Sequence, residues 1–177
     1  SSEITADDPM QITAYVVDQH GNLVPNQAIT YTPSNGSMSM VQPNLFMPYA
    51  VGAYTIEVAW NGQTVSVPIT VTTGVASYFI LEGCAGTNPA GVWCTVTHTL
   101  FDQFHNEIGD VTEAGPLTWV VENGNYSTVN GEYFPDHVGQ WMLNLTSTSG
   151  AAGQLAITVG HGEMEQLELD LSATEIT

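Results

Sequence analysis

An all-β fold, two tandem β-sandwich modules followed by one extra C-terminal strand, is what this chain predicts, and three observations predict it. Short apolar runs of period-2 or β-branched character recur along the sequence with turn formers between them, roughly every 8 to 12 residues. No stretch of a dozen residues has helical periodicity. The second half of the sequence repeats the first.

In chain order, Ser1 to Asp8 is polar and without periodicity, so no element is expected there. Met10 to Val17 (M-Q-I-T-A-Y-V-V) reads as a strand, and Asp18-Gln19-His20-Gly21-Asn22 as a turn in which Gly21 and Asn22 suit positive φ. Gln27 to Thr32 is a second strand, ended by Pro33-Ser34-Asn35-Gly36. Leu45 to Met47, Ala53 to Trp60 and Thr64 to Thr72 follow, the last two joined by Asn61-Gly62, the sharpest hairpin signal in the chain.

The repeat sets the domain organisation. Ile12–Gln19 matches Val96–Gln103 at an offset of 84 residues, Pro48–Ile56 matches Pro135–Leu143 at 87, and Ile69–Val71 matches Ile157–Val159 at 88. Small loop insertions account for that drift. The modules are expected at residues 1–73 and 74–162, with 163–177 left over. Module two opens with Tyr78-Phe79-Ile80-Leu81-Glu82, and 88 residues on stands Gln166-Leu167-Glu168-Leu169-Asp170. Subtracting the offset from Tyr78 lands before Ser1. Module one thus lacks its first strand in this sequence, and the tail carries a spare one.

In that tail Leu167, Leu169 and Leu171 alternate with Glu168 and Asp170, the signature of a strand with one buried face. A sandwich without an edge strand exposes unpaired backbone groups beside an apolar groove. An extended segment from another chain can fill it, with main-chain hydrogen bonds giving affinity and alternate side chains filling pockets. Leu167, Leu169 and Leu171 are the expected fillers. Donor and acceptor are different surfaces, so the contact is heterologous and grows open filaments. The same geometry fits a longer covalent array in which 163–177 begins the next module; Glu175-Ile176-Thr177 echoes Glu3-Ile4-Thr5. A third reading folds the tail back onto module two.

Composition narrows the partners. The 177 residues hold 18 Asp plus Glu, five His and no Lys or Arg. Phosphate backbones and anionic membranes are bound by cationic side chains, so nucleic acid and acidic membrane surfaces are excluded as partners. No apolar run approaches the roughly 20 residues of a membrane span, so no membrane insertion is expected. No signal peptide is evident, and the chain reads as already processed or as an excerpt. Trypsin has nothing to cut, and no lysine is available for an internal isopeptide crosslink.

Cys84 and Cys94 flank a loop rich in turn formers, without the Cys/His company of a zinc site. A disulfide closing that loop is expected, which implies an oxidising compartment. Asn35-Gly36-Ser37, Asn125-Tyr126-Ser127 and Asn144-Leu145-Thr146 are N-glycosylation sequons, placing candidate sites at Asn35, Asn125 and Asn144. An extracellular or cell-surface location follows from these features together.

The pattern Asp18-x-x-Gly21-Asn22-Leu23-x-Pro25 and the later Val51-Gly52-x-Tyr54-x-Ile56 resemble the bacterial and archaeal immunoglobulin-like tandem repeats of invasin- and intimin-type surface proteins. Both modules carry the pattern. The resemblance implies an immunoglobulin-like sandwich and a stalk or display role without catalysis. Asp102-Gln103-Phe104-His105-Asn106 departs from it in lacking the Gly, which leaves its turn free to differ.

Chemistry is not evident. His20, His98, His105, His137 and His161 have no metal-ligand spacing, and no nucleophile elbow is present. No catalytic residue, cofactor or metal is therefore assigned. Asp7-Asp8 and Glu163/Glu165 are suitable hard ligands for Ca²⁺ at a module junction, although a solvated acidic linker is the ordinary reading of such pairs. Tyr54 and Trp141, at equivalent repeat positions, are expected core anchors. Trp60, Trp93, Tyr126 and Tyr133 fall near turns and would be the stacking surface if a glycan were bound. Three functions survive: a head-to-tail subunit or segment of a surface filament or stalk; an adhesin-type or carbohydrate-binding module of a larger surface protein; and a hydrolase on a β-sandwich, which needs converging carboxylates.

Overall fold

The structure, a computed structural model, describes residues 2–164. Leu167, Leu169 and Leu171 of the expected C-terminal strand lie outside the described residues. The strands run β1 (Ser2–Thr5), β2 (Met10–Gln11), β3 (Val16–Val17), β4 (Leu23–Val24), β5 (Thr30–Pro33), β6 (Met38–Gln42), β7 (Leu45–Pro48), β8 (Gly52–Trp60) and β9 (Gln63–Thr72). They continue as β10 (Ala76–Gly83), β11 (Thr87–Pro89), β12 (Cys94–Asp102), β13 (Glu107–Ile108), β14 (Leu117–Val121), β15 (Asn125–Ser127), β16 (Glu132–Phe134), β17 (Gly139–Ser147) and β18 (Ala152–Gly160). A single 3-10 turn, Val111–Ala114, interrupts them, so the protein is all-β, and no helix among the described residues is long and apolar enough to cross a membrane.

Two compact units form. The first takes the chain up to Ile80, together with His98–Thr118 and Leu145–Gly153; the second takes Leu81–Thr97, Trp119–Asn144 and the chain from Gln154 onward. In the first unit, a four-stranded sheet of order β1-β9-β8-β5 and a three-stranded sheet β2-β7-β6 supply opposite sides of one core. Tyr54 and Ile56 from β8 and Ile69 and Val71 from β9 meet Met38 and Phe46 from β6 and β7. Their alternation along each strand is the period-2 pattern of an immunoglobulin-like sandwich. The β8–β9 hairpin turns at Asn61-Gly62, both with positive φ (46° and 79°), as the sequence predicts.

In the second unit, Val96, Tyr133, Leu143, Ile157 and Val159 form the core, with Trp119, Val121, Trp141 and Leu155 packed against it. There β12 pairs antiparallel with β16 (Cys94↔Tyr133), and β11 pairs parallel with β18 (Thr87↔Thr158).

Three local outcomes differ from expectation. First, β1 exists where none is predicted, because its partner rather than its sequence makes it a strand. It pairs parallel with β9, Glu3 opposite Thr70 and Ile4 opposite Val71, and only Ile4 of its four residues is apolar. Glu3 and Thr70 stand 84 and 88 residues before Thr87 and Thr158, the repeat's own offsets, so β1 is the counterpart of β11. A counterpart of β10 is not present among the described residues.

Second, the predicted strand Met10 to Val17 survives only at its ends, as β2 and β3, and Ile12 to Tyr15 belong to no ladder. The matching stretch in the repeat is the unbroken β12, whose neighbour is β10. Third, the turn Asp102–Asn106 does not differ from Asp18–Asn22 despite its missing glycine. His105 takes the left-handed conformation (φ 68°) that Gly21 takes in the first turn (φ 83°).

Candidate strand-acceptor groove and its turns

The groove in the first unit is built from the bare stretch outward. Ile12, Ala14 and Val16 are half-buried and alternate with exposed Thr13, Tyr15 and Val17, so the segment keeps strand periodicity, although among the described residues it has between β2 and β3 only two hydrogen bonds, from Ile12 N–H to the Asn44 carbonyl (2.9 Å) and from Ala14 N–H to Tyr31 Oη (3.3 Å), and no ladder. Opposite them stand Ile29, Val58, Trp60, Val65 and Val67, enclosing an open groove of 530 Å³. Of the lining residues, Tyr15 is 70% exposed and Val65 65%, large apolar exposures. Trp60 is held by a hydrogen bond from its Nε1 to Gln27 Oε1 (3.0 Å).

Where the repeat has a partner strand, the same ground is filled. In the first unit, Phe79 of β10 is 4% exposed and packs edge-on against His98 of β12, while Tyr78 stacks on Phe101. In the second unit, Leu81 of β10 is 6% exposed, Cys84 N–H donates to the Thr95 carbonyl (3.2 Å), and Thr97 Oγ1 donates to the Glu82 carbonyl (3.4 Å). The positions 88 residues beyond Phe79 and Leu81 are Leu167 and Leu169. The position beyond Gly83, where φ is 130° and a Cβ would lie 2.1 Å from the Thr95 oxygen, is Leu171.

The two Asp-x-x-x-Asn turns share one scaffold. Asp18 Oδ1 accepts from His20 N (2.8 Å) and Asn22 N (2.9 Å), and Asn22 Nδ2 donates back to Oδ2 (3.0 Å). Asp102 Oδ1 accepts from Phe104 N and Asn106 N (both 2.9 Å), and Asn106 Nδ2 donates to Oδ2 (2.8 Å). They differ in what lies outside them. Asp102 is fully buried, and its Oδ2 also accepts Gly74 N–H (2.9 Å). Asp18 is exposed. Burial pushes the Asp102 carboxyl up, but the Asn106 side chain and the backbone N–H groups of Gly74, Asn106 and Phe104 together hold it below the ordinary carboxylate range. The Asn22 side chain and neighbouring backbone N–H groups lower Asp18 likewise.

The remaining candidates are placed as follows. Cys84 and Cys94 are disulfide-bonded, with Cα atoms 5.3 Å apart. Asn35 and Asn125 are exposed, while Asn144 is half-buried within β17. Asp7 is occupied by structure: its Oδ2 accepts Val75 N–H (2.9 Å), which lowers its pKa. Among the described residues no three His, Cys, Asp or Glu stand together as metal ligands, and Glu165 lies outside them. Of the turn-proximal aromatics, Tyr126 stands opposite Tyr133 across β15–β16 and is stacked on Trp119 at 4.0 Å, Tyr133 is 1% exposed with its hydroxyl donating to the Asn123 carbonyl, Trp93 lies against Phe134, and Trp60 lines the groove of the first unit. Burial raises the Tyr133 and Tyr126 hydroxyl pKa values, as expected of packed phenols.

No protein-family model matches the chain, and no curated protein matches it in sequence. Solved structures do resemble it. The Escherichia coli adhesin FdeC is 16% identical with a TM-score of 0.47, over 90% of this chain and 62% of that one. The S-layer protein SbsC is 19% identical with a TM-score of 0.39, over 87% of this chain and 23% of that one. Invasin, a bacterial integrin-binding protein, is 16% identical with a TM-score of 0.39, over 83% and 34%. The chain spans less than two thirds of the length of each of these three proteins.

Proposed function

We propose that this chain is a structural segment of an extracellular, cell-surface filament or stalk, joined head to tail by a strand. The residues 163–171 of one copy would lie along Ile12–Tyr15 of the next, in the role β10 plays beside β12. One observation carries the reading: the groove beside Ile12, Ala14 and Val16 is open and apolar at the point where the repeat buries Phe79 and Leu81.

The energetics are adequate. Burying Leu167 and Leu169 contributes roughly 1.5–3 kcal/mol each. Each main-chain hydrogen bond gained by the bare segment adds about 0.5–1.5 kcal/mol. The association entropy sets about 4–15 kcal/mol against this, so the junction depends on seating both leucines and most of the ladder. The disulfide and the absence of Lys and Arg support an oxidising, protease-rich surrounding. No catalytic role belongs to this reading: Asp7, Asp18, Asp102 and Asp110 all spend carboxylate oxygens on backbone N–H groups.

Electron microscopy and light scattering of the full chain test it. Fibres whose formation is lost on deleting 163–177, and restored by no other change, support strand donation. Polymers from the deleted chain overturn it, as does a full chain that stays monomeric at every concentration because the tail closes on its own molecule.

A further inference from the structure

The turn Asp102–Asn106 makes a set of contacts that the otherwise identical turn Asp18–Asn22 lacks. Within the first unit, Gly74 N–H donates to Asp102 Oδ2 (2.9 Å), Val51 N–H donates to Asn106 Oδ1 (3.1 Å), and Asn106 Nδ2 donates to the Tyr49 carbonyl (3.1 Å). The Phe104 ring packs on Tyr49, centroids 6.5 Å apart. The receiving surface is therefore Tyr49–Val51 plus Gly74, and most of its hydrogen bonds come from the backbone.

That receiving surface is repeated in the second unit with no turn against it. The repeat offsets carry Tyr49–Val51 to Asp136–Val138 and Gly74 to Gly162. The local geometry is the same. Tyr54 Oη donates to the Ala50 carbonyl at 2.9 Å, and Trp141 Nε1 donates to the His137 carbonyl at 2.9 Å. Gly52 and Gly139 have φ of 153° and 140°. Val51 and Val138 are both 48% exposed. Both glycines are crowded: a Cβ at Gly74 would lie 2.9 Å from the Asp7 Cγ, and one at Gly162 would lie 2.3 Å from the Ala90 carbonyl oxygen, where backbone leaves no room for it. The second surface is also held rigid, because Asn123, 5% exposed, donates to the His137 carbonyl (2.8 Å) and accepts its N–H (2.9 Å). Beside it lies an open hollow lined by Ala90, Gly91, Val92, Asp136, Gly162 and Glu163. Among the described residues, the N–H groups of Val138 and Gly162 and the Asp136 carbonyl take no hydrogen bond.

Among the described residues there is thus a turn without a receiver and a receiver without a turn. We infer that the Asp18–Asn22 turn of one copy docks onto Asp136–Val138 and Gly162 of the next, in the manner of Asp102–Asn106 on Tyr49–Val51 and Gly74. In this junction Gly162 N–H donates to Asp18 Oδ2, Val138 N–H to Asn22 Oδ1, and Asn22 Nδ2 to the Asp136 carbonyl. The residue pair at the side-chain contact changes in a complementary way. Phe104 against Tyr49 becomes His20 against Asp136, an aromatic pair exchanged for an imidazole facing a carboxylate. In a chain with no Lys or Arg, histidine is the remaining side chain able to supply that positive charge.

The inference rests on the head-to-tail reading and is geometrically consistent with it. Within the first unit the chain leaves Gly74, enters β10, and meets the Asp102 turn at the point of departure. A tail leaving Gly162 to lie along Ile12–Tyr15 meets the Asp18 turn in the same way.

The test is a chain carrying Q19C, at an exposed turn position that makes none of the junction's hydrogen bonds, and V138C, treated with a short bis-maleimide that ignores the Cys84–Cys94 disulfide. A ladder of covalent dimers, trimers and higher species, absent from either single variant, is the expected result. Charge exchange gives the second arm: H20D, which sets a carboxylate against Asp136, raises the concentration needed for assembly roughly fivefold, and H20D with D136H restores it. Fibres without a ladder and without sensitivity to H20D overturn the docking while leaving strand donation standing. A ladder from protein lacking 163–177 supports the docking and overturns donation, and no ladder under any condition overturns the docking.

Discussion

Residues 10–18 and 94–102 are the same strand twice, and only one of them is a strand. Both carry the alternation that predicts one, yet β12 runs unbroken over nine residues while Ile12 to Tyr15 belong to no strand and make only isolated hydrogen bonds among the described residues, to the Asn44 carbonyl and Tyr31 Oη. The side chains follow the backbone: Val96 and Leu100 are 2% and 0% exposed, and their counterparts Ile12 and Val16 are only half-buried. Alternation therefore records which face a segment offers, while a neighbouring strand decides whether that face is covered and whether the hydrogen-bond ladder closes. The first copy of the repeat keeps the preference of the second and, among the described residues, has no such neighbour.

The largest expected effect comes from spoiling the proposed neighbour. The pair L167D/L169D is expected to abolish assembly while leaving the thermal transition of the unassembled chain in place, because the two described cores are built from residues between Ile4 and Val159; unchanged fibres under electron microscopy would sink the register drawn from Phe79 and Leu81. Next is a paired truncation at equivalent positions. L100A empties a fully buried site and lowers unfolding free energy by roughly 2–5 kcal/mol, whereas V16A at the half-covered site costs about 1 kcal/mol or less in chemical denaturation. Equal losses would mean that the groove is already filled in solution. Third, the first half has no cysteines to match the Cys84–Cys94 bridge, and C84S/C94S destabilises by about 2–3 kcal/mol, with the change seen in the fluorescence of the Trp93 and Trp119 region.

Much of this was legible in the sequence, and for a common reason. Asn61-Gly62, the Cys84–Cys94 loop and the repeat are written in side chains whose conformational or covalent preferences are local. Two features were not. Ser2–Thr5 is a strand because β9 offers it a parallel edge, a fact carried sixty-odd residues away in Ile69–Thr72. His105 holds a left-handed turn that its own preferences would not choose, kept there by Asp102 and Asn106 on either side. The receiving surface at Asp136–Val138 and Gly162 is harder still to read, since its docking groups are backbone N–H and C=O. Its sole sequence trace is the glycine that the crowding of Ala90 requires. The repeat offsets relate it to the occupied version at Tyr49–Val51 and Gly74, whose contacts with the Asp102–Asn106 turn are seen only in the folded chain.

The smallest effect expected is one of pH, and it separates the two turns. The Asp102 carboxylate is held below the ordinary range by four hydrogen bonds despite its burial. A depressed folded-state pKa contributes stability that is complete above the unfolded value, about 3.9, and disappears as pH falls through the folded one. Thermal unfolding of the wild type should therefore steepen in its loss below about pH 4. D102N keeps the shape and removes that titration, and costs roughly 1–3 kcal/mol at neutral pH where buried donors lose their acceptor. D18N changes the acid limb far less in the unassembled chain, since the turn it serves is exposed. If assembly buries Asp18 against Gly162, fibres of the wild type acquire the acid sensitivity of Asp102 and fibres of D18N do not, so that the melting of fibres against pH reads out whether the two turns have become equivalent.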